Sequence, residues 1–169
     1  MSQKIIISIF FFTFLINSVI SEKSPAAVAL SCDFTGNATC AYTHEPGTWY
    51  VGLNRDGNRH IAATVYPDNR SIGSKWNMTS PNFSNPDPIC FRFDYYLNVA
   101  HRYVAFSMIL NEKTYVYGKT STLGNRNRWL KGEFLIGAGQ EQRLMATANL
   151  YSGYNEVVFS NFNATDGAC

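Results

Sequence analysis

The stretch Cys90-Phe91-Arg92-Phe93-Asp94-Tyr95-Tyr96-Leu97 decides the architecture of this 169-residue chain. Phe91, Phe93, Tyr95 and Leu97 occupy every second position. Successive side chains of a strand point to opposite faces, so this alternation marks a strand with one buried face. The same period recurs outward from it. Residues 102–110 repeat it with Val104, Phe106, Met108 and Leu110, and residues 130–136 with Leu130, Gly132, Phe134 and Ile136. Shorter runs at 48–53, 61–66, 114–117, 141–150 and 156–162 are rich in Tyr, Phe, Val, Ile and Thr. These residue types suit a pleated, half-buried surface. Helical periodicity is nearly absent. Asp56-Gly57, Asn111-Glu112-Lys113, Gly137-Ala138-Gly139 and residues 152–155 read as turns, and 82–88, with two prolines, as a loop. Roughly nine or ten strands separated by such turns predict an all-β, antiparallel two-sheet sandwich.

The beginning of the chain sets its compartment. Met1-Ser2-Gln3-Lys4 is a short basic lead, an apolar run follows to Ile20, and Val19-Ile20-Ser21 suits cleavage before Glu22. This is the pattern of a secretory signal peptide over 1–21, and secretion to the extracellular space is expected. Residues 22–30 read as a short leader and 31–169 as a single domain. About 148 mature residues suffice for one core. No later stretch is apolar enough to span a membrane. Of 14 basic residues Lys4 lies in the signal, leaving 13 against 12 acidic ones. That balance argues against nucleic acid as the partner. Arg126 and Arg128 lie just before Trp129 but read as solvated side chains. Five sequons, at Asn37, Asn69, Asn77, Asn82 and Asn163, fit an exported glycoprotein.

The chain has four cysteines, Cys32, Cys40, Cys90 and Cys169. In an oxidising compartment they are expected as two disulfides, and three connectivities are open. The eight-residue spacing of Cys32 and Cys40 suits a local loop and leaves Cys90 for Cys169. The order Cys32-Asp33-Phe34, Cys40, Thr79-Ser80-Pro81, Cys90-Phe91-Arg92-Phe93-Asp94-Tyr95, Trp129 and Cys169 resembles the MAM domain family. The resemblance covers 32–169. It implies a jelly-roll sandwich, the bridges Cys32–Cys40 and Cys90–Cys169, and an adhesion or assembly module rather than a catalyst. Family modules usually sit beside other domains or a span; the sequence is read as having neither, so a stand-alone secreted member is expected here. Ser160 and Asn161 stand where the family has two aspartates. A hard cation wants several carboxylate oxygens, so no calcium, other metal or cofactor is expected.

Catalytic patterns are missing from the sequence. His44, His60 and His101 have no ligand at metal spacing, and no nucleophile elbow or phosphate loop is present. Asp94 and Glu133 could meet as a carboxylate pair, yet solvated strand charges are the simpler reading. No catalytic residue is assigned. Of the tyrosines Tyr95, Tyr96, Tyr103, Tyr115, Tyr117, Tyr151 and Tyr154, most are expected in the core or in cross-strand pairs. Tyr151 and Tyr154, beside a glycine turn, are the contact-surface candidates. The expected function is noncovalent binding of another extracellular protein or of a second copy of the chain. The alternative is carbohydrate recognition, with Trp49, Trp76 or Trp129 stacking on a sugar. Core roles are expected for all three tryptophans, above all for Trp129.

Overall fold

The computed structural model describes residues 22–35, 39–53, 59–65, 74–98, 104–122, 124–150 and 155–169. One short helix, α1 (Pro25–Leu30), precedes the strands β1 (Thr43–His44), β2 (Trp49–Leu53), β3 (Arg59–Val65), β4 (Ser74–Thr79), β5 (Phe83–Asn85) and β6 (Ile89–Asn98). β7 (Ala105–Leu110), β8 (Thr114–Thr120), β9 (Trp129–Ile136), β10 (Gly139–Gln142), β11 (Leu144–Leu150) and β12 (Asn155–Asp166) follow. They form an all-β, antiparallel jelly-roll sandwich. One sheet runs β1-β4-β11-β7-β8, the other β2-β3-β12-β6-β9, and β10 pairs with β5 in a small ribbon. The bridges are Cys32–Cys40 and Cys90–Cys169. The second closes a separation of 79 residues, which in the chain-entropy account contributes about 4 kcal/mol.

The alternation in β6 is realised in full: Phe91, Phe93, Tyr95 and Leu97 are buried and the residues between them less so. Phe93 is the hub of the core. Its ring meets Phe91, Phe134, Phe159 and Phe162 of its own sheet. Across the sandwich it meets Phe106 at 5.9 Å and Tyr117 at 5.3 Å, both edge-on. Edge-to-face packing aligns the positive rim of one ring with the negative face of the next. The ring needs room on β9. A Cβ on Gly132 would stand 2.4 Å from the Phe93 ring. Phe93 and Gly132 are partners in register.

Departures from the sequence reading have local causes. The run at 141–150 divides at Arg143 into β10 and β11, and Glu141, at φ 50°, lies at the irregularity within β10. The loop at 82–88 contains β5, because Phe83 and Asn85 are buried and the prolines come after it. β12 carries a bulge between Ser160 and Asn163, with Asn161 at φ 54°. The extra residue shifts the phase, so Phe159 and Phe162 both reach the core. The Asp56-Gly57 turn and most of the 152–155 turn lie outside the described residues, although β2 and β3 do pair antiparallel.

The segment expected as a short leader holds α1 and packs on the core. Ser24 caps it by accepting from the Ala27 amide, Pro25 opens it, and Ala26, Ala27 and Leu30 are buried. Tyr42 Oη donates to the Leu30 carbonyl at 2.8 Å. Six residues lie below the length at which a helical period is legible. The Ser24 amide and hydroxyl both donate to the Asp166 carboxylate at the end of β12. These hydrogen bonds hold the Asp166 carboxyl below its ordinary 3.8.

Two outcomes are expected. Gly132→Ala displaces Phe93 and destabilises the domain by about 1–3 kcal/mol in chemical denaturation, and Phe93→Leu in the same chain recovers part of the loss. For Asp166 the folded-state value is depressed, so its contribution is present above 3.8 and fades as pH falls below it. The Ser24 amide proton shift should therefore titrate below 3.8, and Asp166→Ala should abolish that titration.

Candidate ligand-binding face

The sheet β2-β3-β12-β6-β9 has one face on the core and one outside. Trp49, Ala63, Val157 and Tyr95 belong to the core cluster. Their neighbours in sequence, Tyr50, Ala62, Val158 and Tyr96, therefore point outward. The ladder puts these outward residues in one transverse row: Tyr50 opposite Ala62, Ala62 opposite Val158, Val158 opposite Tyr96 and Tyr96 opposite Trp129. The row crosses the whole sheet, about 19 Å at the usual strand spacing. Its middle residues, Ala62 and Val158, are small and buried. Its ends are aromatic and open. Tyr50 is 41% exposed and Trp129 38%, and the Trp129 ring lies 5.7 Å from that of Tyr96 at 48°.

Polar groups border the row. Tyr50 Oη donates to Glu156 Oε1 at 2.6 Å; Glu156 pairs in register with Asn98. On the opposite border Ser160 faces Asp94 and Asp94 faces Lys131. His60 lies beside Tyr50, across Gly52, where an added Cβ would come 3.2 Å from His60 Nε2. The glycine thus leaves the imidazole room to lie down against the sheet. Rings with apolar faces, flanked by a few fixed donors and acceptors, are the composition of a small-ligand site.

The structure redistributes the residues singled out from sequence. Trp49 is buried and stacks on Phe159, and Trp76 packs partly buried against the core. Trp129, the tryptophan expected above all in the core, is instead an exposed residue of the edge strand β9. The phase explains it. Leu130, Gly132, Phe134 and Ile136 take the inner face, so an odd-numbered neighbour must face out. Tyr50 and His60 went unassigned to a site, although adjacent Trp49 and Tyr50 on one strand must occupy opposite faces. Tyr151, Tyr154, Asn37, Asn69, His101 and Tyr103 lie outside the described residues. Asp94 and Glu133 each face a cation rather than each other: Asp94 opposes Lys131, and Arg92 Nε donates to Glu133 Oε2 at 3.1 Å. The Cys90 and Cys169 sulfurs near Glu133 are bonded to one another. Asn77 and Asn82 are exposed and Asn163 half-buried. Their carboxamide oxygens accept from Thr147, Arg143 and Lys23 respectively.

No protein-family model matches the sequence, and no curated protein matches it. Solved structures do match in shape. The K1 cleaved adhesin domain of Lys-gingipain from Porphyromonas gingivalis superposes with a TM-score of 0.66 at 11% identity, over 82% of this chain and 98% of that one. The CBM22-1 xylan-binding domain of Paenibacillus barcinonensis Xyn10C gives 0.54 at 12% identity, over 83% and 96%. The C-terminal family 22 carbohydrate-binding module of Clostridium thermocellum Xyn10B gives 0.55 at 13%, over 86% and 98%. The likeness is one of fold: adhesin domains and carbohydrate-binding modules share this sandwich.

The two tryptophans separate the core from the face. Trp49→Ala should cost about 3–5 kcal/mol. Trp129→Ala should stay within about 0.5 kcal/mol of the parent, both measured by urea denaturation. Equal losses would return Trp129 to a structural role.

Proposed function

We propose that this chain is an extracellular carbohydrate-binding module that holds a short stretch of glycan along the outer face of the β2-β3-β12-β6-β9 sheet. The observation that carries the reading is the row ending in Tyr50 at one edge and Tyr96 and Trp129 at the other. A pyranose presents an apolar C–H face and a rim of hydroxyls. Stacking on an aromatic ring satisfies the first, and Glu156, Asp94, His60 and Lys131 border the row to serve the second. Neighbours whose names state xylan or carbohydrate binding support the same reading at the level of fold. Glu156 acts as a positioning residue: its bond fixes the Tyr50 ring before the ligand arrives.

The secreted chain should therefore be retained on at least one polysaccharide in a broad glycan array, xylan included. Trp129→Ala and Tyr50→Ala should each weaken that retention at least tenfold without lowering the melting temperature. Glu156→Gln should weaken it less, by loosening Tyr50. An array with no retained glycan, or retention indifferent to both aromatic changes, would sink the proposal.

A second reading, adhesion to a protein by a MAM-like module, draws on the two bridges, which pair as that resemblance implies. Light scattering over a concentration series reads its homophilic form, which requires the mass to double and Trp129→Ala to prevent it.

A further inference from the structure

The opposite sheet, β1-β4-β11-β7-β8, also has an outer face, and its most exposed aromatic residue is Tyr115, at 63%. The ring is laid down on the sheet rather than extended into water. A Cβ on Gly118 would stand 2.1 Å from Tyr115 Oη and 2.8 Å from Cζ, so the phenol passes over the glycine. Only a residue without a side chain permits that approach. Gly118 belongs to a transverse row of its own. Asn77 opposes Thr147, Thr147 opposes Ser107, and Ser107 opposes Gly118. The row is short, polar and without a large side chain between the carboxamide at one end and the phenol at the other. It measures about 14 Å over three strand spacings.

Asn77 heads the sequon Asn77-Met78-Thr79. Thr147 Oγ1 donates to Asn77 Oδ1 at 2.9 Å. That bond fixes the carboxamide on this outer face, with its oxygen toward β11 and its Nδ2, the atom that carries an N-linked sugar, left to extend over the face. We propose that Asn77 carries an N-linked glycan whose first sugars lie along this row and stack on Tyr115. The glycan would cover this face, leaving the aromatic row of the other sheet as the open one. The chemistry is internal to the molecule: an amide-linked sugar chain, small polar groups beneath it and an aromatic ring at its far end. Because the sugar is tethered, its effective concentration at Tyr115 is high, and a weak stack suffices. The inference rests on the extracellular placement argued above, but not on any added ligand.

The test uses the full chain exported from a eukaryotic host. Peptide mass analysis reads the occupancy of Asn77, Asn82 and Asn163. Thr79→Val removes the sequon while leaving the Asn77–Thr147 bond in place. The expected result is an occupied Asn77, with the Thr79→Val protein melting about 2–4 °C lower. Tyr115→Ser should lower the midpoint by a similar amount in the glycosylated chain and by nothing further in the Thr79→Val background. If glycans are found on Asn82 or Asn163 and none on Asn77, this proposal fails and the extracellular reading stands. If no sequon is modified, both fail. If Tyr115→Ser has the same effect in both backgrounds, the glycan does not touch the ring and the stacking is overturned.

Discussion

The sandwich is closed by the ring of Phe93 pressed over Gly132. From this position the phenylalanine reaches Phe106 and Tyr117 of the opposite sheet and Phe159 and Phe162 of its own. Two sheets with flat inner faces would leave voids, and interiors tolerate few. Interlocking edge-on rings fill the gap and fix the spacing of the layers. They also fix the phase of β6 and β9. Once Phe93 and Gly132 face inward in register, Tyr96 and Trp129 must face outward together. The external aromatic row is thus a consequence of the internal packing. A one-residue slip of β9 would bury Trp129 and expose Phe134.

Architecture was legible in the sequence wherever period two ran unbroken. β6, β7 and β9 show it plainly, and their pairing in two antiparallel sheets follows. It was less legible where the backbone changes phase. The bulge at Ser160 to Asn163 places Phe159 and Phe162 on one side although they lie three positions apart. An alternation count across that point assigns one of them wrongly. β5 is only three residues long and flanked by prolines, and α1 is a single helical segment. Both depend on tertiary burial, of Phe83 in one case and of Ala27 and Leu30 in the other. Local sequence carries little of that burial.

The outer aromatic row was hidden for a different reason. Its members come from five strands far apart in sequence, and they meet only once the order β2-β3-β12-β6-β9 is known. Composition favours placing tryptophan inside, because the side chain is large and apolar. The alternation of residues 130–136, already visible in the chain, contradicted that preference for Trp129. A strict count of phase is the better guide at a strand's first residue.

The two outer faces differ in a way that bears on function. On the β2-β3-β12-β6-β9 sheet the rings stand at the ends of a row braced by hydrogen-bonded strands, and Tyr50 is further held by Glu156. Side chains held in this way lose little freedom when a ligand arrives, so more of each contact appears as affinity. Tyr50 and Trp129 both stand on edge strands, β2 and β9, and the Glu156 bond holds Tyr50 in addition. Trp129 keeps more freedom to adjust, while Tyr50 and Tyr96 set the spacing of the row. Under the proposed carbohydrate-binding reading, selectivity for chain conformation arises at the braced positions and strength of binding at Trp129. That division follows from the Glu156 bond to Tyr50 and the interior strand of Tyr96, and it requires no movement of the sheet.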